Sequence, residues 1–166
     1  MITKDTSKEA VLKLASECNK CGECCNYGSG FILPEEMSII ASQLNMPEEK
    51  FLEKYTQEQI LFNKKVYKFK TKGKKPFGQC VFLDRGLCKI HFTKPINCKI
   101  ANCNEFGEQL NEWFIANYLL DADDPVAIRE WASRLISKPT IPGAGLHELV
   151  PDERKLKRIM HYKIIR

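Results

Sequence analysis

Four cysteines fall within eight residues, at Cys18, Cys21, Cys24 and Cys25. No other feature limits the fold so tightly. Four thiols this close either converge on a shared ligand or, paired as two disulfides, strain the short backbone between them. A second, looser set follows at Cys80, Cys88, Cys98 and Cys103. The N-terminal Met1-Ile2-Thr3-Lys4-Asp5 leads into a charged amphipathic segment rather than an apolar leader, so the expected location is the cytoplasm. In a reducing compartment structural disulfides are rare, and dense cysteine usage points to metal or redox chemistry.

The turn residues agree with ligation. In Cys18-Asn19-Lys20-Cys21-Gly22, glycine follows the second cysteine, where a thiolate-binding turn calls for positive φ and backbone N–H groups near sulfur. A continuing helix would put Cys18, Cys21 and Cys25 on one face, but Asn19, Gly22 and Asn26 are poor helix interiors. A helix ending near Cys18, then a knuckle-like loop, is the favoured reading. Cys24 and Cys25 point in different directions, so they serve different sites or one is a buried thiol. Farther on, Cys80-Val81-Phe82-Leu83, the turn Asp84-Arg85-Gly86, and Leu87-Cys88-Lys89-Ile90-His91 read as a hairpin with a cysteine on each arm. Pro95 then starts a helical turn that carries Cys98 and extends toward Cys103.

These motifs, in this order, resemble the YkgJ-type cysteine-cluster family with its CxxCxxCC motif. The resemblance spans roughly residues 15 to 104 and rests on the four-cysteine run, the cysteine hairpin and Lys94-Pro95-x2-Cys98. It implies a metal-chelating domain for zinc or iron, usually without a defined reaction. His91 and Lys94 stand where an aromatic residue and arginine are commoner. Flagellin lysine N-methylases share such a cluster, so an enzyme of that kind is one reading, although nothing here matches a methyl-donor site.

Two cofactors suit the thiols. Cys18, Cys21 and Cys24 or Cys25 match the opening of a ferredoxin-type ligand set, with Cys98 or Cys88 as the remote ligand of a [4Fe–4S] cluster. Equally, eight thiolates make two tetrahedral Cys₄ zinc sites. The candidate metal ligands are therefore Cys18, Cys21, Cys24, Cys25, Cys80, Cys88, Cys98 and Cys103. An iron–sulfur protein would have an accessory, redox or metal-handling role; a zinc-stabilised module would serve interactions.

The remainder reads as scaffold. At 166 residues the chain is expected to form one small, mainly helical α+β domain with a short β-hairpin. The cysteine core (15–104) precedes a helical region (105–137), a Pro/Gly connector (138–151) and a basic C-terminal helix (152–166). The capping-box spacing from Thr6 to Glu9 opens a first helix, Leu33-Pro34-Glu35-Glu36 a second, and Met46-Pro47-Glu48-Glu49 a third to about Tyr55. Glu108 to Leu120 reads as a long amphipathic helix, and Asp124-Pro125 opens another; Asp121, Asp123 and Asp124 lack a calcium-loop pattern and are assigned to capping. Lysines crowd residues 64 to 75, threaded through Val66, Tyr67 and Phe69, and the alternation from Tyr67 to Lys72 suggests a strand with lysines on one face, read as a solvated edge. With a net charge of +5 this leaves an acidic protein or nucleic acid as a candidate partner, although no nucleic-acid motif supports the latter. No apolar run is long enough to span a membrane. No Ser/Cys–His–Asp arrangement or paired carboxylates mark a catalytic site. His91 lies near the cluster in a presumed strand, while His147 and His161 have no nucleophile to serve.

Overall fold

Ser7 accepts a hydrogen bond from the Ala10 amide and opens helix α1 (Lys8–Ala15) in the computed structural model, which describes residues 1–16, 21–73 and 77–161. Thr6, read above as part of the cap, instead accepts from the Thr3 amide. The buried stripe of α1 is Val11 and Ala15. A short turn of helix, α2 (Glu23–Asn26), and strand β1 (Phe31–Ile32) precede α3 (Pro34–Gln43). Pro34 sits in the first turn of α3, where its missing N–H costs nothing, and Met37, Ile40 and Ala41 are buried as their helical spacing requires. Helix α4 (Glu48–Tyr55) runs directly into strand β2 (Thr56–Leu61), followed by β3 (Lys64–Phe69).

The three strands form an antiparallel sheet in the order β1-β3-β2, with Phe31 opposite Lys68 and Thr56 opposite Phe69. The lysine-rich strand is thus central, not an edge, because β1 covers its second side. The strand also ends at Phe69, before the Lys70 and Lys72 of the expected alternation, and its own lysines fall on both faces. Strand alternation puts Lys64, Val66 and Lys68 on one side and Lys65, Tyr67 and Phe69 on the other. Both faces are packed: Val66 belongs to a core with α1, Trp113, Phe114 and Trp131, and Phe69 to a core with α3, Phe51 and Phe82. The sheet stands between two apolar clusters, which is why hydrophobic and lysine positions share each face.

The β2–β3 turn is Phe62-Asn63, both at positive φ (49° and 57°), the twist a two-residue hairpin needs. Phenylalanine is costly there. Its ring is fully buried, edge-on to Trp131 at 6.0 Å, with the Arg134 guanidinium 4.7 Å above it, and its amide donates to Glu130 Oε2 at 2.7 Å.

A second, two-stranded hairpin joins β4 (Leu83–Asp84) to β5 (Leu87–Cys88). Its turn is Arg85-Gly86, again with both φ positive (49° and 79°). The arms are shorter than the sequence suggests: Cys88 lies on one, but Cys80 lies before the other and bridges Thr71 instead. His91 falls in a 3₁₀ turn (His91–Thr93) rather than a strand. Helix α5 (Ile96–Ile100), capped by Pro95, carries Cys98 and ends before Cys103.

Helix α6 (Gly107–Phe114) widens into a π turn (Ile115–Leu119), so the long helix expected to Leu120 is not uniform. At this turn Asn117 donates its amide to Trp113 O and to Lys4 O, while Trp113 Nε1 donates to Thr6 O. These bonds fasten the N-terminus to the helical layer. Asp124 caps α7 (Pro125–Arg134), accepting from the Val126 and Ala127 amides. The Pro/Gly stretch is packed rather than loose: Ala144 is fully buried, Trp131 Nε1 donates to Ala144 O, and the Glu148 carboxylate of α8 (Leu146–Leu149) accepts from the Gly143 and Gly145 amides. Helix α9 (Glu153–Met160) docks through Leu156 and Ile159 onto Ile128 and Val150. Among the described residues no helix is long and apolar enough to cross a membrane.

Candidate metal centre

The described cysteines are delivered by several separate pieces of local structure. Gly22, at φ 78°, turns the chain into α2, and its carbonyl accepts from the Cys25 amide. The positive φ expected after Cys21 is therefore present. Cys24 and Cys25 ride on α2, the first exposed and the second half-buried. The Cys80 amide donates to Cys25 O at 2.6 Å, joining the two cysteine groups through the backbone. Around it Val81 N donates to Lys70 O and Lys72 N to Gln79 O, so Cys80 is fixed in an extended ladder. The Arg85-Gly86 turn brings Cys88 back toward it.

Cys98 is set by α5, which is held from two sides. Glu36 accepts from Ile96 N through one carboxylate oxygen and from Leu33 N through the other, clamping α5 to α3. Asn97 Oδ1 accepts from Phe31 N, clamping it to β1. The chain passes so close that a Cβ on Gly30 would overlap Cys98 Sγ. Glycine is required there for access, not for an unusual backbone angle.

All seven described cysteines border two adjoining cavities. The inner one, about 110 Å³, is lined by Cys24, Cys25, Cys80, Cys88 and Cys98 with the rings of Phe69 and Phe82. The outer, about 410 Å³, is lined by Cys21, Cys24, Cys25, Cys88, Cys98 and Cys103. Cys18 lies outside the described residues. Spatial grouping thus cuts across sequence grouping, since Cys25 of the first run sits with Cys80, Cys88 and Cys98. His91 lines only the outer cavity and is exposed. Among the described residues no three His, Cys, Asp or Glu side chains are gathered tightly enough to form a preformed single-ion site.

The inner thiols share one electrostatic environment. Burial pushes Cys80 up to about 11, the nearby Cys25 and Cys88 sulfurs add to the rise, and a Phe82 backbone hydrogen bond and the Lys72 ammonium oppose it. Cys98 lies well above the ordinary thiol range, first from burial and then from Cys80, Cys25 and Cys88, with Lys94 opposing. Without a cation Cys80 and Cys98 hold their protons. Several soft donors whose ionisation disfavours one another in an apolar enclosure are a donor set that a thiophilic metal would stabilise as thiolates. The residues present therefore fit zinc or iron. Gly30, Lys94 and Asn97 were missed as site residues; the small-residue run Gly28-Ser29-Gly30 was the signal for the first.

Fold and site define a small α+β protein built around a thiol-lined cavity. The chain belongs to the CxxCxxCC family, whose model, described as "Putative zinc- or iron-chelating domain", matches residues 17–116. The match covers all eight cysteines and continues through α6 into the π turn. No curated protein and no solved structure matches the chain. Metal binding is the property this family description assigns.

Proposed function

We propose that the chain is an iron–sulfur protein in which Cys25, Cys80, Cys88 and Cys98 hold the cluster, with an accessory role in redox chemistry or metal handling in the reducing cytoplasm. The observation that carries this reading is the enclosure of a cavity of about 110 Å³ by five thiols, Cys24 and Cys25 of α2, Cys80 at the Thr71 bridge, Cys88 of β5 and Cys98 of α5, of which Cys24 is the exposed one. A lone zinc would draw its sulfurs to within ~2.3 Å of one point. A wider sulfur-lined space suits iron with inorganic sulfide. A cluster bound there supplies one-electron redox chemistry. The chain's own contribution is to exclude water with Phe69, Phe82 and Ile90, and to set a positive charge at Lys94 against the anionic sulfurs. Cys21 and Cys103, which line the outer cavity, and Cys24, which lines both, stand where a metal would enter. Anaerobic purification tests the reading: iron, acid-labile sulfide and visible charge-transfer absorption are expected. A colourless protein with stoichiometric zinc and no sulfide would replace it with the zinc-stabilised module.

A further inference from the structure

Two large apolar side chains stand exposed beside the outer cavity. Leu87, on the hairpin, and Phe92, on the 3₁₀ turn, are 75% and 90% exposed. Leu87 lines the opening together with His91, Lys94 and Lys99, and the His91 ring stands edge-on to Phe92 at 5.8 Å. Large apolar side chains grouped at one opening mark a contact surface more often than isolated ones do.

The charge there is one-sided. From 83 to 101 the chain carries Arg85, Lys89, Lys94 and Lys99 against Asp84 alone, and Asp84 is paired with Lys89 at 3.5 Å. Among the described residues no ion pair engages Arg85, Lys94 or Lys99. Several sheet lysines are differently placed. Lys65 pairs with Glu58, Lys70 Nζ donates to Glu53 O, and Lys72 Nζ donates to Gln79 Oε1 and Leu83 O. Basic charge is thus partly satisfied internally at the sheet, whereas Arg85 and Lys99 are exposed near the mouth and Lys94 faces the thiols.

We propose that this mouth docks an acidic segment of a partner protein, with Leu87 and Phe92 as apolar anchors and Arg85 and Lys99 meeting its carboxylates. Paired anchors and complementary charge are how specific protein surfaces combine affinity with steering. Leu87, an aliphatic side chain with no ring on which a base stacks, suits an apolar residue of a peptide, and a single-stranded oligonucleotide in the test decides whether the exposed Phe92 ring takes a base instead. The surface goes beyond the metal reading and does not depend on what fills the cavity.

The test uses the full chain with its metal content measured, and a fluorescent peptide alternating glutamate with leucine and phenylalanine. Saturable, salt-sensitive binding is expected, falling on the order of tenfold or more in Arg85→Glu/Lys99→Glu and in Leu87→Ser/Phe92→Ser. The charge-matched Lys64→Glu/Lys68→Glu variant is expected to change it by less than about threefold, as distant surface charges do under screening. Equal loss in both charge variants, absence of saturable binding, tighter binding of a single-stranded oligonucleotide, or self-association abolished by Leu87→Ser would each overturn the proposal. Circular dichroism identifies a variant that fails to fold, in which case Arg85→Gln/Lys99→Gln takes its place. Loss of metal with peptide binding intact bears on the cysteine reading instead.

Discussion

Gly30 shows how one absent methyl group protects the site. Its α-carbon lies against Cys98 Sγ, so Gly30→Ala forces the thiol or β1 to move. Overpacking of this kind costs roughly 1–3 kcal/mol. The expected outcome is a loss of metal affinity together with that stability, read by chelator competition and urea unfolding; unchanged affinity would show that the thiol yields freely. Cys80 provides a second residue-level test. Its pKa is raised to about 11 from an ordinary 9.0, so the folded state favours the protonated thiol. That stabilisation is complete below about pH 9 and is lost as pH rises through about 11, a decline of roughly 2–3 kcal/mol for the metal-free protein. Because lysines and tyrosines titrate in both proteins, the comparison with Cys80→Ser isolates the thiol. The variant should decline less steeply in urea titrations from about pH 8 to about pH 11; identical slopes would contradict the assignment.

At the scale of elements, Glu36 decides where α5 sits. Its two carboxylate oxygens hold Leu33 N on α3's own cap and Ile96 N at the start of α5. Glu36→Ala leaves the half-buried Ile96 amide without its acceptor, at a cost of roughly 1–3 kcal/mol. Faster metal release is expected alongside, since Cys98 is carried by α5; stability lost with no change in release would separate the clamp from the site. The helices themselves were legible because their signals are local. Pro34 with the following acids, Asp124 before Pro125, and the spacing of Met37, Ile40 and Ala41 each fix an end or a face without reference to the rest of the chain. The sheet was not. Thr56-Gln57-Glu58-Gln59 has no strand-like apolar alternation, and only its pairing with β3 makes it one. That partner also explains the error over the lysines, because a strand with a core on each side shows no single polar face. The Phe62-Asn63 turn lacks the usual glycine, and its phenylalanine is kept there by Trp131, Arg134 and Glu130, all about seventy residues away.

Across the whole molecule, the cysteines were legible as a set but not as a site. Spacing identified their chemistry, whereas the grouping of Cys25 with Cys80, Cys88 and Cys98 depends on a backbone bond from Cys80 to Cys25 and on the clamps around α5, neither visible in the order of residues. The same long-range closure ties metal to folding. α2, the Cys80 segment, β5 and α5 come together around the thiol-lined cavity, so removal of metal by a chelator is expected to lower the unfolding midpoint, and Cys21→Ser, at the outer cavity, to lower it less than Cys98→Ser. The measurement that bears most directly on the inner thiols is the iron and acid-labile sulfide content of the anaerobically purified chain beside its Cys80→Ser/Cys98→Ser variant. Iron and sulfide in the parent and neither in the variant is the expected result; full retention of both in a folded variant would contradict it.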